Sequence, residues 1–336
     1  MSEKHVTSKR SRKSESRATT VAETAHGEPG TDTQHNGLFA GLCIGQPLHH
    51  HNLTVFPLTW THPQDTFYIL LGNAIEAGQA VVEEVTEAGS VPNLAVTNKA
   101  DWPILIPEGE ILIGAKQNRV VNVSVLVAAG TKFVMPVSCV EAGRWRYQSR
   151  HFESKFCAPP SLRNKKLKAV QRNRAESGRA ESDQGEVWNE VQACLTKVAA
   201  RSATASLTDG FLSSEKRLDE YRQGLTLPQD SAGVLVAKGA HVIGMDLFDS
   251  SATLRAMWGR LRDAYFFDAL GDNRKRRPTT LKSAQAFLDH VAGSVRPRPS
   301  ALGLGEELEI AGENLVGAAL TYSGRLCHVA AFSERA

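Results

Sequence analysis

The sequence lacks the long apolar segments that membrane and secreted proteins require. Nowhere in its 336 residues do 18 successive apolar residues occur, which excludes a transmembrane helix. The first thirty residues are polar and contain no apolar core, which excludes a secretory signal. Five cysteines lie far apart without a Cys-x-x-Cys pair, so we expect neither a disulfide framework nor a cysteine-rich zinc module. We therefore expect a cytoplasmic protein without membrane contact.

Several well-known catalytic motifs are also missing. The sequence contains no phosphate-cradling Gly-x-x-x-x-Gly-Lys loop, dinucleotide glycine fingerprint, Gly-x-Ser-x-Gly elbow or His-Glu-x-x-His helix. The run His49–His51 places two imidazoles on one strand face, but a metal needs further ligands, and the sequence identifies none. We predict no metal site, and the cofactor, if one exists, stays unknown.

Positive charge is concentrated in two segments. Residues 1–17 hold six basic and two acidic residues, although the net charge of the chain is only +3. A second basic cluster covers residues 164–179. With almost nothing apolar to bury, residues 1–36 are predicted to form a disordered tail, and residues 151–183 a basic, mobile insert. Because neither segment is a folded basic face, they give only a minor reason to expect nucleic acid as a partner.

The remaining pattern predicts an α+β fold. Residues 37–150 contain about eight short, β-branched segments separated by Gly, Pro, Asn or Asp, which indicates a β-rich sandwich or barrel-like core. Residues 184–336 form a mixed α/β half that contributes most helices. Val187, Val191 and Leu195 recur at helical spacing, a second stripe runs from Leu254 to Tyr265, and residues 281–291 fit a third helix. We expect residues 37–336 to form one domain.

Two segments resemble each other along the chain. Residues 103–114 align without gaps on residues 233–244, with matching glycines and aliphatic positions. Two explanations of this resemblance are open. It could be one that any two hydrophobic hairpins share, or it could result from duplication of a hairpin. We favour an arrangement in which both halves contribute to one core.

Functional side chains are densest at the end of one apolar strand. Glu110 precedes Gly114, and the strand then runs into Lys116, Gln117, Asn118 and Arg119. Lysine and arginine bind phosphate, amides can recognise a ribose or a base, and glycine allows close approach of a ligand. The alternative is a polar hairpin end whose cations pair with nearby glutamates.

A second candidate cluster follows about thirty residues later. Glu141 could act as an acid, a base or an acceptor for ribose hydroxyls, Arg144 could bind an anion, and Trp145 could stack on adenine. Cys139 is expected to be buried, because a neighbouring carboxylate disfavours a thiolate. We take Glu110 and Glu141 as candidate catalytic residues. If the two clusters form one functional site, both must line the same cavity.

These residues carry a family resemblance. The series from 52–58 through 89–94, Glu108–Glu110, 114–119 and 136–145 resembles the prokaryotic domain named for its association with ADP-ribosylglycohydrolases and the rhodanese/phosphatase superfamily. The likeness continues through residues 239–268 and 317–332. The second hairpin has Ala240 and His241 where a carboxylate matching Glu110 would stand.

The resemblance implies a neighbourhood of ADP-ribose and NAD metabolism. Our leading hypothesis is a protein that binds or processes an ADP-ribose- or NAD-related nucleotide through Glu110, Lys116–Arg119, Glu141, Arg144 and Trp145. The alternative is a non-catalytic scaffold acting with ADP-ribosylglycohydrolase or phosphatase-family proteins. The sequence does not decide whether the protein is an enzyme.

Overall fold

A computed structural model describes residues 36–271, 277–298 and 301–334. The predicted tail 1–36 lies outside the described residues, apart from Asn36. The strands are β1 Leu42–Ile44, β2 Leu48–His50, β3 Leu53–Trp60, β4 Ile69–Leu70, β5 Ala80–Glu84, β6 Asn93–Asn98, β7 Ile104–Ile106, β8 Glu110–Gly114, β9 Arg119–Val121, β10 Val125–Val127, β11 Lys132–Cys139, β12 Phe152–Cys157, β13 Gly233–Lys238, β14 His241–Phe248, β15 Val295–Pro297, β16 Glu306–Gly312, β17 Leu315–Tyr322 and β18 Arg325–Ser333. The helices are α1 Leu71–Glu76, α2 Pro160–Ser177, α3 Gln184–Lys197, α4 Leu207–Ser213, α5 Glu215–Gln223, α6 Ser251–Ala269 and α7 Leu281–Gly293. None of these helices combines the length and the apolar composition that crossing a membrane requires.

Within the described ranges the strands form three sheets. The largest runs in the order β1-β3-β13-β14-β18-β17-β16-β15, with β2 also paired to β3. A six-stranded sheet runs β12-β8-β9-β11-β6-β5, and a small one runs β10-β7-β4. The strand pairings among the described residues are antiparallel, except that β4 pairs with β7 in parallel. Since helices come mainly from the C-terminal half, the predicted α+β class with a β-rich core is confirmed.

The buried core draws side chains from both halves of the chain. One continuous apolar cluster contains Val55 and Leu105 from early strands together with Val191 from α3 and Phe267 from α6. The helical stripes predicted from the sequence therefore face this core. Helix α6 begins at Ser251, because the Ser250 hydroxyl caps it by accepting a hydrogen bond from the Thr253 backbone N–H at 3.2 Å.

The expectation of a mobile insert over residues 151–183 was wrong. The segment forms strand β12 and the 18-residue helix α2, which contacts β17, β18, α3 and α6. The inner face of α2 carries charge as well as apolar groups, because Arg163 and Lys166 are fully buried. A helix whose buried face contains two cations has no clean apolar stripe, so its sequence is typical of a solvated segment.

The two buried cations of α2 are paired with two buried carboxylates. Arg163 donates to both oxygens of Asp246 at 2.7 and 2.9 Å and to Glu108 Oε2 at 2.9 Å. Lys166 Nζ lies 2.6 Å from Glu108 Oε1. Tyr265 donates to Asp246 at 2.8 Å. We call Glu108, Arg163, Lys166, Asp246 and their partner Tyr265 the buried ionic network.

The strands next to this network are divided between sheets. Lys166 Nζ donates to the backbone carbonyls of Val121 and Asn122 at 2.8 Å, and the apolar run 120–127 is divided there into β9 and β10, which belong to different sheets. Segment 103–114 is not a hairpin: β7 and β8 lie in different sheets, whereas β13 and β14 pair directly. The duplicated-hairpin interpretation is therefore wrong.

Candidate functional site

A polar cavity of about 480 Å³ opens beside the end of β8 and the start of β9. Three of the sequence-predicted residues, Asn118, Glu141 and Arg144, line it together. We call it the site cavity. Its other lining residues are Ile113, Arg146, Tyr147, Gln148, Phe156, Thr204, Ser206, Thr208, Asp209 and Leu212.

Glu141 is the most strongly bonded acid in this wall. Its Oε2 accepts from Arg144 at 2.7 Å and from the Asn118 backbone N–H at 3.1 Å. Its Oε1 accepts from the Thr204 hydroxyl at 2.8 Å. Burial alone would raise the pKa of Glu141, but these three hydrogen bonds outweigh it and lower the pKa overall. Glu141 is therefore ionised at neutral pH and has little tendency to take up a proton.

Arg144 holds the cavity wall in place. Its Nη1 donates to the carbonyls of Ala115 at 2.6 Å and Arg146 at 3.0 Å, and its Nη2 donates to Asn118 Oδ1 at 3.2 Å. The buried Nε of Arg144 has no hydrogen-bond partner among the described residues. A buried donor without a partner is costly, so the guanidinium is favoured by negative charge nearby, as Glu141 supplies.

Another part of the cavity wall is a row of hydroxyl groups that lie before and within α4. The Asn118 amide donates to Ser206 and Thr208, each at 3.2 Å, and these two hydroxyls lie 2.9 Å apart. The row approaches the Glu141 segment closely. A Cβ at Gly143 would lie 2.9 Å from the Thr204 Cα, so only glycine fits there without displacing the backbone.

Thr204 supplies a test of the Glu141 environment. Thr204→Val removes one of its three hydrogen bonds at nearly constant volume, so we expect the pKa of Glu141 to rise and the free energy of unfolding to fall by about 1–2 kcal/mol. Carbon-13 NMR titration and urea denaturation measure the two effects. Thr226→Val, on the exposed surface, is the matched control and should leave both unchanged. An unaltered Glu141 titration in Thr204→Val would contradict the assigned bond.

Gln117 and Arg119 do not belong to the lining of this cavity. Arg119 is fully buried, donates to Gln117 Oε1 at 3.1 Å, and has its Nη2 3.8 Å from Glu84 Oε1. Burial lowers the pKa of Arg119. The structure thus separates the predicted run 116–119 into two groups with different surroundings.

Lys116 and Trp145 accompany this second group. Lys116 Nζ donates to the carbonyls of Glu87 at 2.6 Å and Ala88 at 2.7 Å, and lies 5.5 Å from the Trp145 ring centroid. The Arg119 guanidinium carbon lies 5.6 Å from the same ring. The indole therefore packs on two cations of the protein itself, although 46% of Trp145 is exposed.

Glu110 does not line the site cavity. It is buried in β8, where its carboxylate is 2.9 Å from Arg260 and accepts a hydrogen bond from Ser154. Burial raises the pKa of Glu110 despite these partners. Cys139 is fully buried as expected, and burial raises the pKa of its thiol to about 11, so it stays protonated at neutral pH.

Sequence reasoning missed the hydroxyl row and the rim of the cavity. The sequence does contain a signal for the hydroxyl row, because hydroxyl residues occur there at every second position: Ser202, Thr204, Ser206 and Thr208. Arg146 and Tyr147 directly follow a predicted residue, and 51% of Tyr147 is exposed at the cavity rim.

The fold is that of an α+β protein with mainly antiparallel sheets. Its candidate site is a polar cavity, one wall of which contains the buried pair Glu141–Arg144. A family model described as ARPP-1, the ARG and Rhodanese-Phosphatase-superfamily-associated Protein domain, matches residues 41–332, and the chain belongs to this family. The family resemblance stated from the sequence is therefore confirmed. Searches of curated proteins and of solved structures found no match.

Proposed function

We propose that the protein binds a nucleotide of the ADP-ribose or NAD class in the site cavity. The observation that carries this proposal is the joint lining of one cavity by Asn118, Glu141 and Arg144 together with a row of hydroxyls. Its volume of about 480 Å³ falls within the roughly 300–1,000 Å³ common for small-molecule sites.

The hydroxyl row suits a ribose. Ser206 and Thr208 each donate and accept, and both are held by the Asn118 amide. A ribose diol can replace their mutual hydrogen bond without leaving a buried polar group unpaired.

The rim suits phosphate and a base. Arg146 is exposed at the rim, and a guanidinium binds phosphate through paired hydrogen bonds. The half-exposed Tyr147 ring offers a face on which a base can stack. This assigns the rim to Arg146 and Tyr147, which line the cavity, and not to Trp145, which is absent from its lining. Lys116 Nζ lies near both rings, 5.1 Å from the Tyr147 centroid and 5.5 Å from the Trp145 centroid.

The geometry favours binding over catalysis. A general acid or base works best with a pKa near the ambient pH, whereas the pKa of Glu141 is lowered by its three donors. Glu110, the other candidate catalytic residue, lies outside the cavity lining. We therefore propose that Glu141 serves ligand binding and not proton transfer, because it holds Arg144 and Thr204 in position.

Calorimetric titration with ADP-ribose and with NAD tests the proposal. We expect the wild type to bind at least one of them, and Arg146→Ala and Tyr147→Ala to weaken binding roughly tenfold or more. Both side chains are exposed, so neither variant should unfold. Arg296→Ala, which removes an exposed arginine from β15, is the matched control. Absence of binding to the wild type, or equal binding by all variants, would overturn the proposal.

A scaffold role is the second candidate, and it rests on the same rim. Leu212 is 62% exposed and lines the same cavity as the half-exposed Tyr147, so two large apolar side chains lie at its rim. The family description names ARG and rhodanese-phosphatase-superfamily proteins as associates. On this proposal Leu212→Ser abolishes co-purification with an ADP-ribosylglycohydrolase or phosphatase-family partner.

A further inference from the structure

A second cavity, of about 160 Å³, lies beside the ends of β3 and β14 and the start of β18, which are interior strands of the nine-stranded sheet. It shares no lining residue with the site cavity. Its walls combine charged and apolar groups, among them Trp60, His62, Gln64, Asp249, Arg325 and Leu326. The proposed function makes no use of these residues, so an inference about this cavity is independent of it.

Asp249 is the buried acid of this cavity, with only 3% of its surface exposed. Its Oδ1 accepts from the Tyr68 hydroxyl at 2.5 Å. Its Oδ2 accepts no hydrogen bond from a described residue, although the backbone N–H groups of Asp249 and Ser250 lie near enough to lower its pKa in part. Burial dominates and raises the pKa of Asp249 to about 6. A buried carboxylate with one oxygen that accepts no hydrogen bond is costly, and a positive charge in the adjoining cavity would offset that cost.

Arg325 provides the opposite charge on the same cavity. Its Nε donates to Gln64 Oε1 at 2.6 Å and its Nη2 to the Asp65 carbonyl. The guanidinium also lies 4.9 Å from the centroid of the Phe67 ring. No hydrogen bond joins its Nη1 to a described residue. The group is therefore held in one orientation with a nitrogen left to bind an anion.

We infer that this cavity binds a small zwitterion, with its ammonium on Asp249 and its carboxylate on Arg325. A lone amine would be repelled by the guanidinium and a lone carboxylate by the aspartate, whereas a molecule with both charges satisfies each wall. An apolar cavity of about 150 Å³ holds a molecule the size of benzene. Small α-amino acids such as alanine and serine match that size. Trp60 and Leu326 supply an apolar wall for the side chain.

Titration of the full chain with glycine, L-alanine and L-serine tests this inference, with binding measured by calorimetry and by the rise in Tm. Ethylamine and propionate are the single-charge probes. We expect at least one amino acid to bind and both single-charge probes to bind at least about tenfold more weakly.

Asp249→Asn keeps the shape of the side chain and an oxygen for Tyr68 while removing the charge. We expect this variant to lose at least about tenfold in amino-acid affinity, and Arg325→Ala to lose affinity for amino acids more than for ethylamine. Asp230→Asn, on the exposed surface, is the matched control and should bind as the wild type does. Failure of all three amino acids, or equal binding by wild type and Asp249→Asn, would overturn the inference. Binding of ethylamine as tight as that of alanine would overturn the part assigned to Arg325.

Discussion

Replacing Arg163 with methionine is expected to lower the free energy of unfolding by about 3–5 kcal/mol. The substitution keeps most of the apolar stem but leaves Asp246 and Glu108 without their strongest partner in the interior. All three side chains are fully buried, so water cannot replace the lost hydrogen bonds. Urea denaturation of wild type and variant measures the difference.

The same helix supplies the control for this experiment. Arg172 lies on α2 and pairs with Glu186 and Asp183 at the surface, where about half of each side chain is exposed. Arg172→Met should change stability by at most about 1 kcal/mol, because exposed ion pairs contribute little. If Arg163→Met were as mild as Arg172→Met, the buried ionic network would not stabilise the fold as described.

Acid is expected to destabilise the protein through Asp246. Burial alone would raise its pKa, but Arg163 and His328 outweigh burial and hold the pKa of Asp246 well below its usual range. A lowered folded-state pKa gives stability that is complete above the unfolded-state value of about 3.9 and is lost as the pH falls below it. We therefore expect the free energy of unfolding to drop steeply from about pH 5 downwards.

Asp246→Asn isolates this contribution. The variant should be less stable at pH 7, because Arg163 loses a charged partner, and its stability should fall less between pH 5 and pH 2 than that of the wild type. Asp289→Asn, on the exposed face of α7, should follow the wild-type profile. Parallel profiles for wild type and Asp246→Asn would show that Asp246 does not titrate below its usual range.

Much of the fold could be predicted because local patterns agree with tertiary packing. The strand β3 coincides with the apolar run Leu53–Trp60, and helices α3 and α6 present their predicted stripes to the core. In these elements burial selects apolar side chains at the period of the secondary structure. Helix α7 is also visible in sequence, since Thr280 caps its first turn.

Helix α2 could not be predicted from the same signal. Its stability depends on pairing Arg163 and Lys166 with Glu108 and Asp246, which lie 55 and 83 positions from Arg163. A sequence pattern reports whether a residue is charged, but not whether a distant partner exists to neutralise it on burial. The basic segment 164–179 was therefore interpreted as solvated although its inner face is enclosed.

The sequence pointed to three of the residues that line the cavity but not to how the candidate residues are grouped. Asn118, Glu141 and Arg144 line one cavity, as the hypothesis of a shared hollow expects for them. Arg119 faces Glu84 instead, and Glu110 pairs with Arg260. Which neighbours meet depends on the division of 110–121 into β8 and β9 and on the turn between them. The hydroxyl row from the C-terminal half joins the site only through the tertiary fold.

The most direct test of the account is a crystal structure of the full chain soaked with ADP-ribose. The account predicts density for a ribose against Ser206, Thr208 and Asn118, with the phosphates at Arg146. Nucleotide density at another place on the protein, or a cavity without ligand at a saturating concentration of ADP-ribose, would contradict it.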